Sequence, residues 1–460
     1  LGFLGHSLNL GYVICVIINA IYLSEIVLSD IVLSDIAYYR KECIEKSGRM
    51  VFASCIYCKG GRNLCGLGRC ALIEEIQAKI PTVPINTKEV FGTSPPSVFV
   101  GRFGYPKVSI GPLVPSVLID EAQQAQQLDN PEFWIDKKCG IEEIIRMRTS
   151  LYRSKTEYLV NDARVPNGVL ATTQELALSK KPIDTEVKLS RVPRITKVAS
   201  LDFVSCPMGP GIEVVKAKLT ENPIVPRKVD ALVSDTDVKA SVAIQELYKA
   251  GIPYTHVQRL LSIGLLGRAK NRKLVPTRWA ITATDDQMGK MLMEKVRLYQ
   301  EIGEYRVYSA NFLGNYFHIL LIPMIWAYEM LETWLKGALW TFEPKTVSDW
   351  EPFEGRSSYA DNISGAYYSA RLSVLEYLEK ISRQATAIVV REITDEYWAP
   401  LGVWVIRETV KKAMSTKPEL FNSLNEAIEY ISANSRVKSW ARNSKLIREI
   451  RAQKRLLDFF

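Results

Sequence analysis

Four cysteines within sixteen residues, Cys55-x2-Cys58-x6-Cys65-x4-Cys70, constrain the fold of this 460-residue chain more than any other feature. A segment that short cannot bury a core of its own, so a bound metal is expected to fold it. A CxxC pair supplies two thiolates from one tight turn, and four such ligands suit a tetrahedral zinc ion. Gly60, Gly61, Gly66 and Gly68 would let the backbone wrap closely around it. An iron–sulfur cluster uses the same ligands, and zinc is preferred. Lys59, Arg62 and Arg69 lie among the ligands and would give this knuckle a basic surface. The remaining cysteines, Cys15, Cys43, Cys139 and Cys206, are scattered, which points to a reducing, cytoplasmic setting rather than a disulfide scaffold.

The length exceeds one ordinary domain, and 47% hydrophobic with 24% charged residues is globular composition. Residues 1–24 carry no charged side chain, and Leu8–Leu23 is strongly apolar, yet no basic region precedes that run. The motif LSDI occurs in tandem at Leu28–Ile31 and Leu33–Ile36, and the first methionine is Met50. The start of the protein is therefore expected near Met50, with residues 1–49 a doubtful leader and no membrane association. The body reads as α+β with mixed sheets: a knuckle over 50–75, an α+β domain over 76–325, a second over 326–435, and a basic helix from 436 to 460.

Within that body, Val98–Val100 reads as a short strand followed by a turn at Gly101 and Gly104. Arg102 and Lys107 beside Phe103 and Tyr105 suit a nucleic-acid or nucleotide surface. Glu142–Tyr152 has helical periodicity, with Arg146, Arg148 and Arg153 as a basic edge. Asp235 and Asp237 precede a helical stretch at Val238–Ala250, where helix capping is preferred over metal ligation. Val275–Asp286 reads as a strand ending in the paired acids Asp285 and Asp286, which could hold magnesium or manganese. Arg278 beside Trp279 is a candidate phosphate or base contact. The aromatic run from Asn311 to Trp340 is too interrupted to span a membrane and reads as core. Helix is expected at Tyr367–Ser382 and a buried strand at Ala385–Val390. With only His6, His256 and His318, a histidine-based triad is improbable, and no phosphate-binding glycine loop is evident.

Net charge is +9, and from Arg436 onward eight lysines and arginines face only Glu449 and Asp458. Lys438, Arg442, Lys445 and Arg448 recur at helical spacing, predicting a basic face for DNA phosphates. The final residues, Gln453-Lys454-Arg455-Leu456-Leu457-Asp458-Phe459-Phe460, follow the Q-x-x-aliphatic-x-x-F-F spacing of peptides that dock on the DNA sliding clamp. A single helical turn would gather Leu456, Phe459 and Phe460 into one apolar plug, with Gln453 at its rim.

Taken together, the Cys55–Cys70 knuckle, PPSVFVGRFGYPKV at Pro95–Val108, SDTDVKAS at Ser234–Ser241, LVPTRWAITATDD at Leu274–Asp286 and the terminal QKRLLDFF resemble the archaeal Nre family of DNA repair proteins. The resemblance covers residues 50–460. It implies a role in DNA damage repair, docking on the sliding clamp PCNA through Gln453, Leu456, Phe459 and Phe460, and a zinc finger at the four cysteines. It implies no reaction. A metal-dependent nuclease or nucleotide-processing enzyme, with Asp235, Asp237, Asp285 and Asp286 as ligands, is the alternative. For that reading the four acids must converge within one coordination shell.

Overall fold

The computed structural model describes residues 43–46, 49–52, 54–66, 70–80, 86–116, 119, 121–192 and 201–452. Residues 1–42 of the expected leader and the clamp-docking residues Gln453, Leu456, Phe459 and Phe460 lie outside the described residues.

The described residues open with an antiparallel hairpin, β1 (Cys43–Lys46) and β2 (Arg49–Phe52), then a single helical turn, α1 (Cys55–Cys58), and the helix α2 (Ala71–Ala78). Next come β3 (Glu89–Ser94), β4 (Val98–Val100) and β5 (Lys107–Pro115). The expected strand and turn are both present here. Gly104 closes the loop at φ +84°, and a Cβ there would stand 2.8 Å from the Lys107 carbonyl oxygen. Only glycine fits such a turn without strain.

Three short helices follow, α3 (Ala122–Gln127), α4 (Pro131–Asp136) and α5 (Ile141–Thr149), then β6 (Leu151–Ser154) and β7 (Thr156–Leu159). The helix predicted over Glu142–Tyr152 therefore stops early, because Leu151 and Tyr152 are buried in a strand paired with β5. Of its expected basic edge only Arg146 is exposed. Buried Arg148 pairs with Asp129 at 2.5 Å, and Arg153 donates to the Gly209 carbonyl at 2.9 Å. Helix α6 (Gly168–Leu178) and strands β8 (Ile183–Leu189), β9 (Gly211–Ile212) and β10 (Val214–Leu219) complete two small sheets. One has the order β10-β8-β3; the other is β4-β5-β6-β9, with β7 also on β5.

Helices α7 (Arg227–Ser234), α8 (Ala240–Lys249), α9 (Tyr254–Ser262) and α10 (Thr277–Val296) form the middle of the molecule. Helix α10 corrects the strand expected at Val275–Asp286. Its threonines and isoleucine favour a strand locally, but Ala280, Thr284, Met288, Leu292 and Val296 are buried at four-residue steps. That face packs into the core, and tertiary burial overrides the weaker local preference.

The last part is a six-stranded sheet of order β14-β13-β15-β12-β11-β16. Its strands are β11 (Tyr305–Phe312), β12 (Asn315–Ile322), β13 (Ala327–Trp334), β14 (Lys345–Glu351), β15 (Thr386–Ile393) and β16 (Glu419–Phe421). Only β13 and β15 pair in parallel, and their connection carries helix α11 (Gly365–Ile381). The boundary expected between residues 325 and 326 thus falls inside one sheet, between β12 and β13. Sequence periodicity marks strands but not their partners.

This sheet is covered on both sides. Ile319, Leu321, Ala387 and Val389 join the large core with α10, α11 and α12 (Trp404–Met414). Their neighbours Leu320, Ile322, Ile388 and Val390 face a second core with α13 (Leu424–Asn434), α14 (Trp440–Asn443) and α15 (Lys445–Ala452). Alternate residues of a strand point to opposite faces, so a strand buried on both sides must be apolar throughout. Every residue of β15, TAIVVREI, is buried. Two of its residues, Arg391 and Glu392, are charged and therefore need partners.

The aromatic run is core as expected, with Phe317, Trp326, Tyr328, Trp334 and Trp340 buried. Among the described residues no helix is long and apolar enough to cross a membrane. The continuous basic helix expected from residue 436 is instead α14 and α15, broken at Ser444. The cause is a carboxylate: buried Glu329 of β13 accepts from Ser444 Oγ at 2.5 Å and from the backbone N–H groups of Lys445 and Leu446 at 2.8 and 3.0 Å. A helix must start where its free N–H groups meet such an acceptor.

Candidate nucleic-acid interface

Three remote stretches of chain meet at one surface: the knuckle loop after α1, the β4–β5 loop and the first turn of α10. Arg102 donates from Nη2 to the Gly61 carbonyl at 3.0 Å. Arg278 reaches the same loop from α10, its Nη1 lying 2.6 Å from where a Gly61 Cβ would stand. It also pairs with Asp202 at 3.3 Å and lies 4.4 Å from the centre of the Phe203 ring. The absence of a side chain at Gly61 leaves room for the Arg278 guanidinium over the knuckle. The Arg102 pKa is lowered by burial and then by the Arg278 charge beside it. From the far side Arg62 donates to Ser364 Oγ and approaches Asp361 at 4.0 Å.

Exposed aromatic rings surround this cluster. Phe103 is 82% exposed, Tyr105 48%, Trp279 46% and Tyr359 45%. Arg102 lies 4.7 Å from the Phe103 ring centre, and Tyr105 meets Trp279 at 5.4 Å with a 52° tilt. Large rings held in solvent next to arginines offer π-faces for stacking and charge for phosphate. Lys107, the other candidate on this hairpin, is neutralised by Glu157 at 2.6 Å.

Beneath the cluster sits the knuckle. Cys55 and Cys58 occupy the two ends of α1, and Cys70 precedes α2. The Cys70 thiol is pushed up by burial and by the negative charge of Cys58 and Cys65, while the Ile73 and Leu72 N–H groups pull it down. Cys58 and Cys65 both lie within charge range of Cys70, and thiols are a donor type that zinc takes. Among the described residues, however, no three such donors stand as a closed coordination shell. One expectation is reversed outright: Lys59 is buried, and its Nζ pairs with Glu332 of β13 at 2.6 Å and donates to the Ile363 carbonyl at 3.3 Å. Glu332 also accepts from Arg391. Burial would raise the Glu332 pKa, but the charges of Lys59 and Arg391 leave it lowered. Lys59 fastens the knuckle to the large sheet and is unavailable to phosphate.

The four acids do not assemble. Asp235 accepts from the backbone N–H groups of Asp237 and Val238 at 2.9 and 3.1 Å, a turn between α7 and α8; the expected cap is absent, because α8 starts after Lys239 with no side-chain cap. Exposed Asp237 takes no part in an ion pair among the described residues. Asp285 is fully buried against Arg407, and Asp286 binds Arg371 and Lys290, both at 2.7 Å. Asp235, Asp285 and Asp286 each serve a structural partner, and among the described residues no group of three donors forms around a metal.

The C-terminal cations also part company. Lys438 donates to the Ala433 carbonyl at 2.9 Å, the Arg442 carbonyl accepts from Arg448 at 2.7 Å, and Lys445 lies 3.5 Å from the Trp350 ring centre and 3.6 Å from Glu449. Lys445 and Arg448 share α15, but Arg442 sits on α14 and Lys438 before it, so the four do not line one helix face.

Sequence profiles of two families cover most of the chain: Archaeal Nre, N-terminal, at residues 64–341, and Archaeal Nre, C-terminal, at residues 351–459. This chain belongs to the archaeal Nre family. It is 38% identical over 392 residues to DNA repair protein NreA of Archaeoglobus fulgidus, spanning 85% of this chain and 96% of that protein. Identity to DNA repair protein NreB of the same organism is 37% over 409 residues, or 88% and 99% of the two chains. To DNA repair protein NreA of Haloferax volcanii it is 35% over 351 residues, 74% and 83%. No solved structure matches. The Nre division after residue 341 falls between β13 and β14, so both Nre regions contribute strands to the same sheet.

Proposed function

We propose that this Nre protein acts in DNA repair, gripping DNA through the arginine–aromatic surface formed by Arg62, Arg102, Arg278, Phe103, Tyr105 and Trp279. The observation that carries the proposal is the pairing of exposed rings with guanidiniums from three distant stretches of chain. A fold gains nothing by holding Phe103 and Trp279 in water. The three relatives above are each named DNA repair proteins. In this reading bases stack on the rings, phosphates lie over Arg102 and Arg278, and zinc at Cys55, Cys58, Cys65 and Cys70 stiffens the loop that positions both. The peptide at Gln453, Leu456, Phe459 and Phe460 brings the protein to PCNA.

Fluorescence anisotropy with labelled single-stranded and duplex oligonucleotides tests it. Trp279→Ala is expected to weaken single-strand binding by about tenfold, the loss of one stacking platform. Arg278→Ala should flatten the salt dependence, because fewer counterions are released. Lys107→Ala should bind as the parent does. Parent-like affinity for Trp279→Ala together with an unchanged salt slope for Arg278→Ala would remove this surface from the DNA-binding role.

A further inference from the structure

A cavity of about 540 Å³ lies on the other side of α10's first turn, bounded by β4, α9, the Thr277 and Ile281 face of α10 and the start of α12. Small-molecule sites run from roughly 300 to 1,000 Å³. Pro95, Pro96, Pro131, Pro182, Pro226 and Pro253 all contribute to its wall. Proline has a fixed φ and no N–H, so this wall is rigid and largely apolar.

Its charge is one-sided. Arg148, Arg259, Arg407 and Lys180 line it, against Asp129 and Glu132. Asp129 is taken by Arg148 at 2.5 Å, and Glu132 reaches toward Lys411 at 3.7 Å. Arg407 is neutralised from behind by Asp285. Arg259 has no carboxylate at ion-pair distance among the described residues. Its Nε donates to the Ala177 carbonyl at 3.0 Å and its Nη2 to that of Ser179. Desolvation lowers its pKa to about 9, with only the Asp129 charge opposing. Arg259 is half-buried, and a partly desolvated guanidinium without a counter-ion is stabilised when something anionic joins it. Buried Arg407 Nε has no hydrogen-bond partner among the described residues.

We infer that this cavity binds a small phosphorylated organic molecule of mononucleotide size, its phosphate held by Arg259 with the spare donor of Arg407. Its less polar body rests against Val98, Ile252 and Ile281. Arginine's fork geometry suits a phosphate group, and the volume is several times what inorganic phosphate alone fills. The inference does not rest on DNA contact at the arginine–aromatic surface.

Isothermal titration of the full chain with dAMP, dCMP, deoxyribose 5-phosphate, the two free nucleosides and inorganic phosphate tests it. At least one of the three organic phosphates should bind saturably and more tightly than its nucleoside or inorganic phosphate. Arg259→Gln should weaken that binding about tenfold or more, the loss of a charge-assisted contact. Arg259 also holds two backbone carbonyls, so Lys180→Ala at the exposed rim provides a fold-neutral variant. It should weaken binding about twofold and reduce its salt sensitivity. Absence of saturable binding by all three organic phosphates overturns the inference. So does equal binding of nucleotide and nucleoside, or of nucleotide and inorganic phosphate.

Discussion

At the scale of single residues, buried titratable groups set how this protein answers to acid. His256 is buried in α9, and desolvation, aided by the Arg259 charge, pushes its pKa down to about 3. The unfolded chain takes up that proton near pH 6.5, whereas the folded chain resists until about 3. Stability from neutral His256 is therefore complete above about pH 6.5 and lost as pH falls toward 3. Asp285 works in the opposite sense. Burial raises its pKa to about 6 against the pull of Arg407, so the cost of its charge is present above about pH 6 and relieved on acidification. Urea unfolding should separate the two. Between about pH 6.5 and about pH 4.5 the His256→Gln variant should lose about 2 kcal/mol less stability than the parent. Equal losses in the two proteins would show that His256 is protonated in the fold.

At the scale of elements, two buried carboxylates of the large sheet fix the C-terminal segment. Glu392 of β15 accepts from the Arg436 and Val437 N–H groups at 3.0 and 2.8 Å, just as Glu329 caps α15. Helix α15 is thereby held with Leu446 and Ile447 in the second core, and the proposed clamp-docking peptide follows at Gln453. Anchoring and docking are separable on this arrangement. Glu329→Gln should cost about 1–2 kcal/mol, the value of a buried helix cap, and leave clamp binding intact. Phe459→Ala combined with Phe460→Ala should abolish capture by PCNA in a pull-down without changing Tm. Retained capture by the double variant would sink the docking assignment.

At the scale of the whole molecule, the knuckle is tied to a sheet strand far away in sequence. Lys59 and Glu332 are 273 residues apart, yet their pair is buried and shared with Arg391. Removing one partner of such a pair costs about 3–5 kcal/mol, because a charge is left without its counterpart. Order in the knuckle should thus be felt through the large sheet. The purified chain is expected to carry about one zinc per molecule, and stripping it with a chelator should lower the Tm of the whole chain. Metal analysis with calorimetry before and after chelation checks this; no stoichiometric metal, or an unmoved Tm, would remove zinc from the account.

Local pattern determined a good deal of this protein. The strands at β4 and β15, the glycine turn after β4, the helix at α11 and the buried aromatic run were all legible, because each depends on neighbours a few residues away. So was the candidate surface in part, since Arg102, Phe103 and Tyr105 sit on one turn and Arg278 adjoins Trp279. Tertiary structure alone decided which of these residues meet. It turned Val275–Asp286 into helix by burying one face, divided the basic tail at the Glu329 carboxylate, and kept the four acids from converging. It also withdrew Lys59 into the core and gathered Arg148, Arg259 and Arg407 around one cavity. Charge pairing and burial act between residues hundreds of positions apart, and no spacing along the chain encodes them.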